Sequence, residues 1–181
     1  MDAGKNIVLG ITGSIAAFKA CDLIGLFRKR NHSVRCMMSA DADRFVTPLT
    51  LETLSGREVA AGMFDSRKGR DIRHVSLAEE ADVILIAPAS ADVIAKIAAG
   101  ICDDILLCVV CAARCPVVIA PAMNDGMFNN SVIQDKIKYL QGKGYHFIPP
   151  VVGRLACGHE GLGHLAPLEK IVQETEKVLS T

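Results

Sequence analysis

Three short segments carry residues able to do chemistry, and a fourth could bring a thiol to them. The first is Gly10-Ile-Thr-Gly13-Ser14-Ile15-Ala16-Ala17. Its glycines let the backbone come close to a ligand, its hydroxyls add donors, and a helix with its N-terminus at the turn would favour an anion such as a phosphate. It has neither the G-x-G-x-x-G spacing nor a G-K-[ST] end, so a phosphomonoester fits better than a pyrophosphate. The second and third are Pro88-Ala-Ser-Ala-Asp92-Val and Pro121-Ala-Met-Asn124-Asp-Gly-Met127-Phe128, each directly after an apolar run. Small Ala89, Ser90 and Ala91 would let a flat ring lie against the backbone. Asn124 offers a neutral amide for a carboxylate or for the rim of such a ring. Plain structural readings stand beside these: Gly and Ser for turn geometry, Ser90 as a helix cap, Asn124 as a turn cap.

The fourth segment is Gly153-Arg-Leu-Ala-Cys157-Gly-His-Glu-Gly-Leu-Gly163, inside a stretch from Pro149 to Pro167 with little periodicity. A stretch that long reads as a candidate lid. Cys157, flanked by glycine, is poorly placed to pack and well placed to reach a site when a lid closes. Among seven cysteines it is the one read as chemical. Of the five histidines, His74 follows a basic loop (Arg67-Lys-Gly-Arg) and is an acid or base candidate. His32 and His146 read as structural, His159 and His164 as lid residues, solvated or touching ligand. Cys108, Cys111 and Cys115 are spaced i, i+3, i+7, one stripe of a helix facing a core or a subunit contact. No fourth ligand completes a zinc site, so no metal is expected.

Elements that could position these segments alternate along the chain. Strands are expected at Lys5–Ile11, Ser33–Met38, Asp82–Ala87 (ended by Pro88), Pro116–Ala120 (ended by Pro121) and Tyr145–Ile148. Helices are expected over Ser14–Arg30, Ser90–Gly100, Asp103–Arg114, Ser131–Gln141 and Pro167–Leu179. Strand, helix, strand with short connections implies α/β architecture: an open, Rossmann-like or flavodoxin-like parallel sheet with helices on both faces. In such a sheet the ligand sits at the C-terminal strand ends.

Composition limits the function classes. At 181 residues, 50% hydrophobic and 22% charged, the chain reads as one globular domain over residues 1–181. Twenty basic and twenty acidic residues cancel, and six Phe, two Tyr and no Trp give no stacking platform, so nucleic acid is not an expected partner. No apolar run reaches membrane-spanning length and the N-terminus does not read as a secretory leader, so a cytoplasmic protein is expected.

Taken in order, these segments resemble the homo-oligomeric flavin-containing cysteine decarboxylases, and within them the branch acting on 4′-phosphopantothenoylcysteine in coenzyme A synthesis. The resemblance covers nearly the whole chain: Ile11-Thr-Gly-Ser-Ile-Ala-Ala, Thr47-Pro-Leu-Thr, His74, Pro88-Ala-Ser-Ala, Pro121-Ala-Met-Asn124 and Leu155-Ala-Cys157-Gly. It implies a carboxy-lyase with FMN at a subunit interface, in trimers or assemblies of trimers. It implies His74, Asn124 and Cys157 as the catalytic set. Gly13, Ser14, Ser39, Pro88, Ala89, Ser90 and Ala91 would hold the cofactor, and Asn124, Met123, Met127 and Asp92 the substrate. Flavin would oxidise the sulfur-bearing carbon to a thioaldehyde, carbon dioxide would leave, and the ene-thiol would be reduced again. Asn124 would take the substrate carboxylate, His74 the thiol end, and Cys157 the final protonation.

Two positions depart from the family pattern. Its Pro-Ala-Ser-Ala-Asn-Thr reads Asp92-Val93 here, an acid for an amide, which removes two donors; and Phe128 stands where the family has Trp. A synthetase domain often follows the decarboxylase in bacterial relatives, so the chain is either a stand-alone enzyme or one domain of a longer protein. The rivals are a peptidyl-cysteine decarboxylase, which would lack the Leu-Ala-Cys-Gly segment, and a flavin prenyltransferase, which would lack Pro-Ala-Met-Asn. A non-catalytic regulatory subunit would usually carry acidic extensions.

Overall fold

A computed structural model describes residues 4–62 and 73–180, so the basic loop 67–70 lies outside the described residues. The chain opens with β1 (Asn6–Ile11), a tight 3-10 turn (Ile15–Lys19), α1 (Ala20–Lys29), β2 (Ser33–Met38) and α2 (Pro48–Ser55). Then come α3 (Arg73–Glu80), β3 (Val83–Ala89), α4 (Ala91–Ala99), α5 (Ile105–Ala112) and β4 (Val117–Pro121). It closes with α6 (Asp125–Phe128), α7 (Ser131–Gly142), β5 (His146–Phe147), β6 (Val151–Arg154), β7 (Glu160–His164) and α8 (Leu168–Leu179).

The first five strands form a parallel sheet in the order β2-β1-β3-β4-β5. Strand side chains alternate between faces, so an apolar run with no polar break must be covered twice. Ile7, Leu9, Ile11, Val83 and Leu85 go to one face, under Leu23, Ile24 and Phe27 of α1 and Ile171 and Val172 of α8. Val8, Ile84, Ile86 and Ile119 go to the other, under α3, α4, α5 and α7 through Leu77, Val93, Ile94, Leu106 and Leu140. This is the flavodoxin-like arrangement, and its strand order reverses between β1 and β3.

Four details differ from the sequence expectation. The helix expected from Ser14 begins as a 3-10 turn, because the Ser14 hydroxyl accepts from Ala16 N–H at 3.3 Å and tightens the entry. One of the two prolines expected to end strands lies inside its strand: Pro88 is followed by Ala89, which pairs with Pro121 after a register shift beyond Ile86, while Pro121 is the last residue of β4, as expected. Such an irregularity accommodates a residue with no N–H to donate. Helix α2 was not anticipated, although Thr47 caps it by accepting from Thr50 N–H, Pro48 starts it, and Gly56 ends it in the left-handed region. Helix α5 stops at Ala112, so Cys115 is off the helix and the three thiols share no stripe. Among the described residues no group of His, Cys, Asp and Glu is arranged to hold a metal, and no helix is long and apolar enough to cross a membrane.

The largest difference is the stretch read as an irregular lid. It is an antiparallel ribbon, β6 against β7, closed by a turn in which Leu155 N–H donates to His159 C=O at 2.9 Å. Gly158 takes φ +98° there, a conformation that a residue with a Cβ rarely adopts.

Candidate functional site

Strand ends β1 and β3 meet at the point where the strand order reverses, and Thr12 ties them together. Fully buried, its hydroxyl donates to Pro88 C=O at 2.8 Å and accepts from Ser90 N–H at 2.9 Å. Next door β4 ends, with Ala122 N–H donating to Ala89 C=O at 3.0 Å. The turns bearing Ser14, Ser90 and Asn124 are therefore fixed by backbone pairing in the sheet. Over them opens a cleft of about 860 Å³, within the size range of small-molecule sites.

Asn124 is both cap and functional group. Its Oδ1 accepts from Gly126 N–H at 2.8 Å, capping α6, which turns its Nδ2 toward Cys157 Sγ, 3.5 Å away. Ser90 likewise caps α4, accepting from Val93 N–H at 3.3 Å, and also lines the cleft. The structural and functional readings of these two residues are thus compatible.

Cys157 arrives from the opposite side, on the turn of the β6–β7 ribbon. The ribbon is docked by Met123 N–H donating to Gly163 C=O at 3.0 Å. A Cβ at position 163 would lie 2.1 Å from Met123 O, so only glycine permits this approach. Behind the thiol, His159 Nδ1 lies 3.4 Å from Cys157 Sγ, and His159 Nε2 lies 3.1 Å from Asp125 Oδ1. That hydrogen bond from His159 holds the Asp125 carboxyl below the usual carboxylate range.

Charge on the α4–α5 side is largely paired. Lys96 Nζ lies 3.2 Å from Asp103 and 3.3 Å from Asp92, and hydrogen bonds to Asp103 and then Asp92 raise its pKa. The acid that replaces the family amide at position 92 thus faces a cation. Burial pushes the Asp104 carboxyl up, although its Oδ1 accepts from Leu107 N–H at 2.8 Å. On the ribbon side, Lys19 Nζ lies 2.9 Å from His164 Nε2, and both line the cleft with Arg154.

The sequence profile of the flavoprotein family matches residues 1–180. The chain belongs to the flavoprotein family. It is 43% identical over 168 residues to the coenzyme A biosynthesis bifunctional protein CoaBC of Haemophilus influenzae, covering 93% of this chain but 42% of that protein. This flavoprotein therefore spans less than half the length of such a relative. Among solved structures it is similar to a PPC decarboxylase variant complexed with pantothenoylaminoethenethiol: TM-score 0.89, 30% identity, 98% of this chain and 100% of that one. It is also similar to the FMN-dependent cysteine decarboxylase SpaF: TM-score 0.85, 29% identity, 99% of each chain.

In this flavoprotein Gly13, Ser14, Ser39, Ser90, Ala91, Asp92, Met123, Asn124, Met127 and Cys157 all line the cleft. Pro88 and Ala89 do not. Both are buried within β3, because the strand runs on past its proline, and Pro88 serves the site through the carbonyl that Thr12 holds. His74 does not line it either: it lies in the first turn of α3, on the outer helical layer. Thr12, Lys19, Lys96, Asp104, Asp125 and Arg154 were not singled out in the sequence. Thr12 left one legible signal, a hydroxyl directly after the apolar run over residues 7–11. The others are ordinary surface types in sequence and gain meaning only when the turns converge.

Proposed function

We propose that this flavoprotein binds FMN in the cleft and decarboxylates 4′-phosphopantothenoylcysteine to 4′-phosphopantetheine. The observation that carries the reading is the meeting of the Asn124 amide and the Cys157 thiol, 3.5 Å apart, over the strand-order reversal. The residues present fit a flavin phosphate and ring: the Ser14 and Ser39 hydroxyls line the cleft and would suit a phosphate, and small Ser90 and Ala91 line it and would let a ring approach the backbone. Bound there, the flavin supplies the redox chemistry that gives the departing carboxylate's electrons a sink.

The protein's own share is positioning and proton supply. With its Oδ1 occupied by the cap, Asn124 presents N–H donors, the half of an amide that suits a carboxylate. Cys157 can deliver the proton that completes the saturated carbon. The similarity to the PPC decarboxylase structure and to the coenzyme A biosynthesis proteins supports this substrate over a peptide thiol.

The site is proposed to be completed by a second copy of the chain in a trimer. Ile15 and Phe18, 60% and 54% exposed, line the cleft together with half-exposed Phe45. Apolar surface of this kind at a ligand site marks an interface. His74, outside its own cleft, would then serve a neighbour's, at the thiol end of the substrate. The test is the visible spectrum of the purified protein, followed by anaerobic addition of 4′-phosphopantothenoylcysteine. A yellow protein that releases carbon dioxide and yields 4′-phosphopantetheine is expected. Protein left colourless after FMN addition would overturn the cofactor, and a yellow but inert protein would overturn the substrate.

A further inference from the structure

The array behind Cys157 is more than a cap on a turn. His159 stands between the thiol and a carboxylate, 3.4 Å from Cys157 Sγ through Nδ1 and 3.1 Å from Asp125 Oδ1 through Nε2. An ionised carboxylate only accepts, so Nε2 carries the proton and Nδ1 offers its lone pair to the S–H. Asn124 N–H meets the same sulfur at 3.5 Å. The Cys157 thiol is thus held between a donor at the substrate end and a base at the solvent end.

We propose that His159, oriented by Asp125, is the relay that returns a proton to Cys157 after each turnover. This inference rests on Cys157 being the final proton donor of the proposed reaction. Once Cys157 has given its proton to carbon, the thiolate faces an imidazole that is itself exposed to solvent. His159 takes a proton at Nδ1 from a solvent acid (hydronium or buffer, left as its conjugate base), the imidazolium is stabilised by Asp125, and Nδ1 passes that proton to Sγ, which leaves the imidazole neutral again. One proton enters per turnover and no electrons move in this step. The charged and titratable groups on the ribbon and the elements packed against it include Asp125 on α6, Arg154, Glu160 and His164 on the ribbon itself, and Lys19, 2.9 Å from His164. Asp125 is built in closely: a Cβ at Gly161 would lie 2.8 Å from its side chain, so the ribbon meets α6 without a side chain between them.

The test reads the thiol without substrate. Iodoacetamide alkylation of Cys157 at pH 7, followed by peptide mass spectrometry, is expected to slow about tenfold in His159→Gln and by a smaller factor in Asp125→Asn, since the imidazole that returns a proton to the sulfur also takes the S–H proton as the sulfur attacks. Free imidazole should restore the rate in His159→Ala, a rescue that a merely structural role would not give. In turnover, His159→Gln should lower kcat with KM unchanged and leave carbon dioxide release in a first turnover intact. Equal alkylation rates in all three proteins, or no response of His159→Ala to imidazole, would overturn the relay. Alkylation that responds as expected, in a protein that releases no carbon dioxide from 4′-phosphopantothenoylcysteine, supports the Cys157–His159 couple and removes only the proposed substrate.

Discussion

The two walls of the cleft are built in opposite ways. The wall at the strand ends is backbone of a buried parallel sheet, locked by the Thr12 hydroxyl and by Ala122 on Ala89. The facing wall is a two-stranded ribbon outside that sheet, docked by the backbone bond from Met123 to Gly163, by His159 on Asp125 and by Lys19 against His164. A rigid wall suits binding, because ring and carboxylate positions must not drift. A ribbon suits proton delivery, because its thiol has to meet both substrate and water. Stability and the last chemical step should therefore be separable by mutation.

Cys157→Ser gives the sharpest separation. A hydroxyl in the same place is a far weaker acid than a thiol, so saturated product should fall by about a thousandfold, in line with loss of a general acid. Carbon dioxide should still appear, an oxidised ene-thiol should accumulate, and the thermal midpoint should stay within about a degree, as for an exposed position. Saturated product at the normal rate would assign the proton to another group. The opposite pattern is expected for Thr12→Val. It leaves the Pro88 carbonyl and the Ser90 N–H without their buried partner, costing about 3 kcal/mol, and should lower the thermal midpoint by roughly 10 °C. FMN affinity should fall with it, since Ser90 and Ala91 lose their anchor. A fluorescence titration and a melting curve read both.

These unequal walls also explain what could be read from sequence. The sheet was legible because apolar strands covered on both faces leave unbroken Val and Ile runs, as in Val83–Ile86 and Val117–Ile119. Its ligand edge followed from topology, and so did the segments with Ser14, Ser90 and Asn124. The ribbon was not legible. Val152, Gly153, Gly161 and Gly163 carry almost no alternation, because the strands pack glycine to glycine and against Met123 rather than over a core. The pairing of His159 with Asp125 bridges 34 positions and depends on that docking. His74 was singled out by residue type and setting, but its absence from its own cleft could not be foreseen, since only the layer on which α3 packs decides it.

Gly163→Ala tests the docking itself, with a smaller effect than either variant above. The added methyl group must push the ribbon off Met123 O, so Cys157 withdraws from Asn124. Product formation should fall about tenfold through kcat, with a midpoint loss smaller than that of Thr12→Val, because β7 lies outside the main sheet. Equal losses in both variants would mean that ribbon and sheet unfold as one unit, and the comparison would fail.

The smallest effect is a pair of opposite pH slopes, one from each side of the cleft. Asp104 has its pKa raised in the fold, chiefly by burial. The native carboxyl keeps its proton when the unfolded one has lost it, so stability falls as pH rises from about 4 through the raised value, and then levels. Asp125 has its pKa lowered, chiefly by the hydrogen bond from His159. Its contribution is present above about 4 and is lost as pH falls through the depressed value. Urea midpoints between pH 3 and 7 should therefore change in opposite senses in the two variants. Asp104→Asn, which keeps the cap on α5, should remove the loss on the alkaline side of the carboxylate range; Asp125→Asn should remove the gain on the acid side. Slopes of the same sign would mean that the α5 cap and the contact of Asp125 with His159 do not titrate as separate environments, and that the thiol's solvent end is not separate from the α4–α5 side of the cleft.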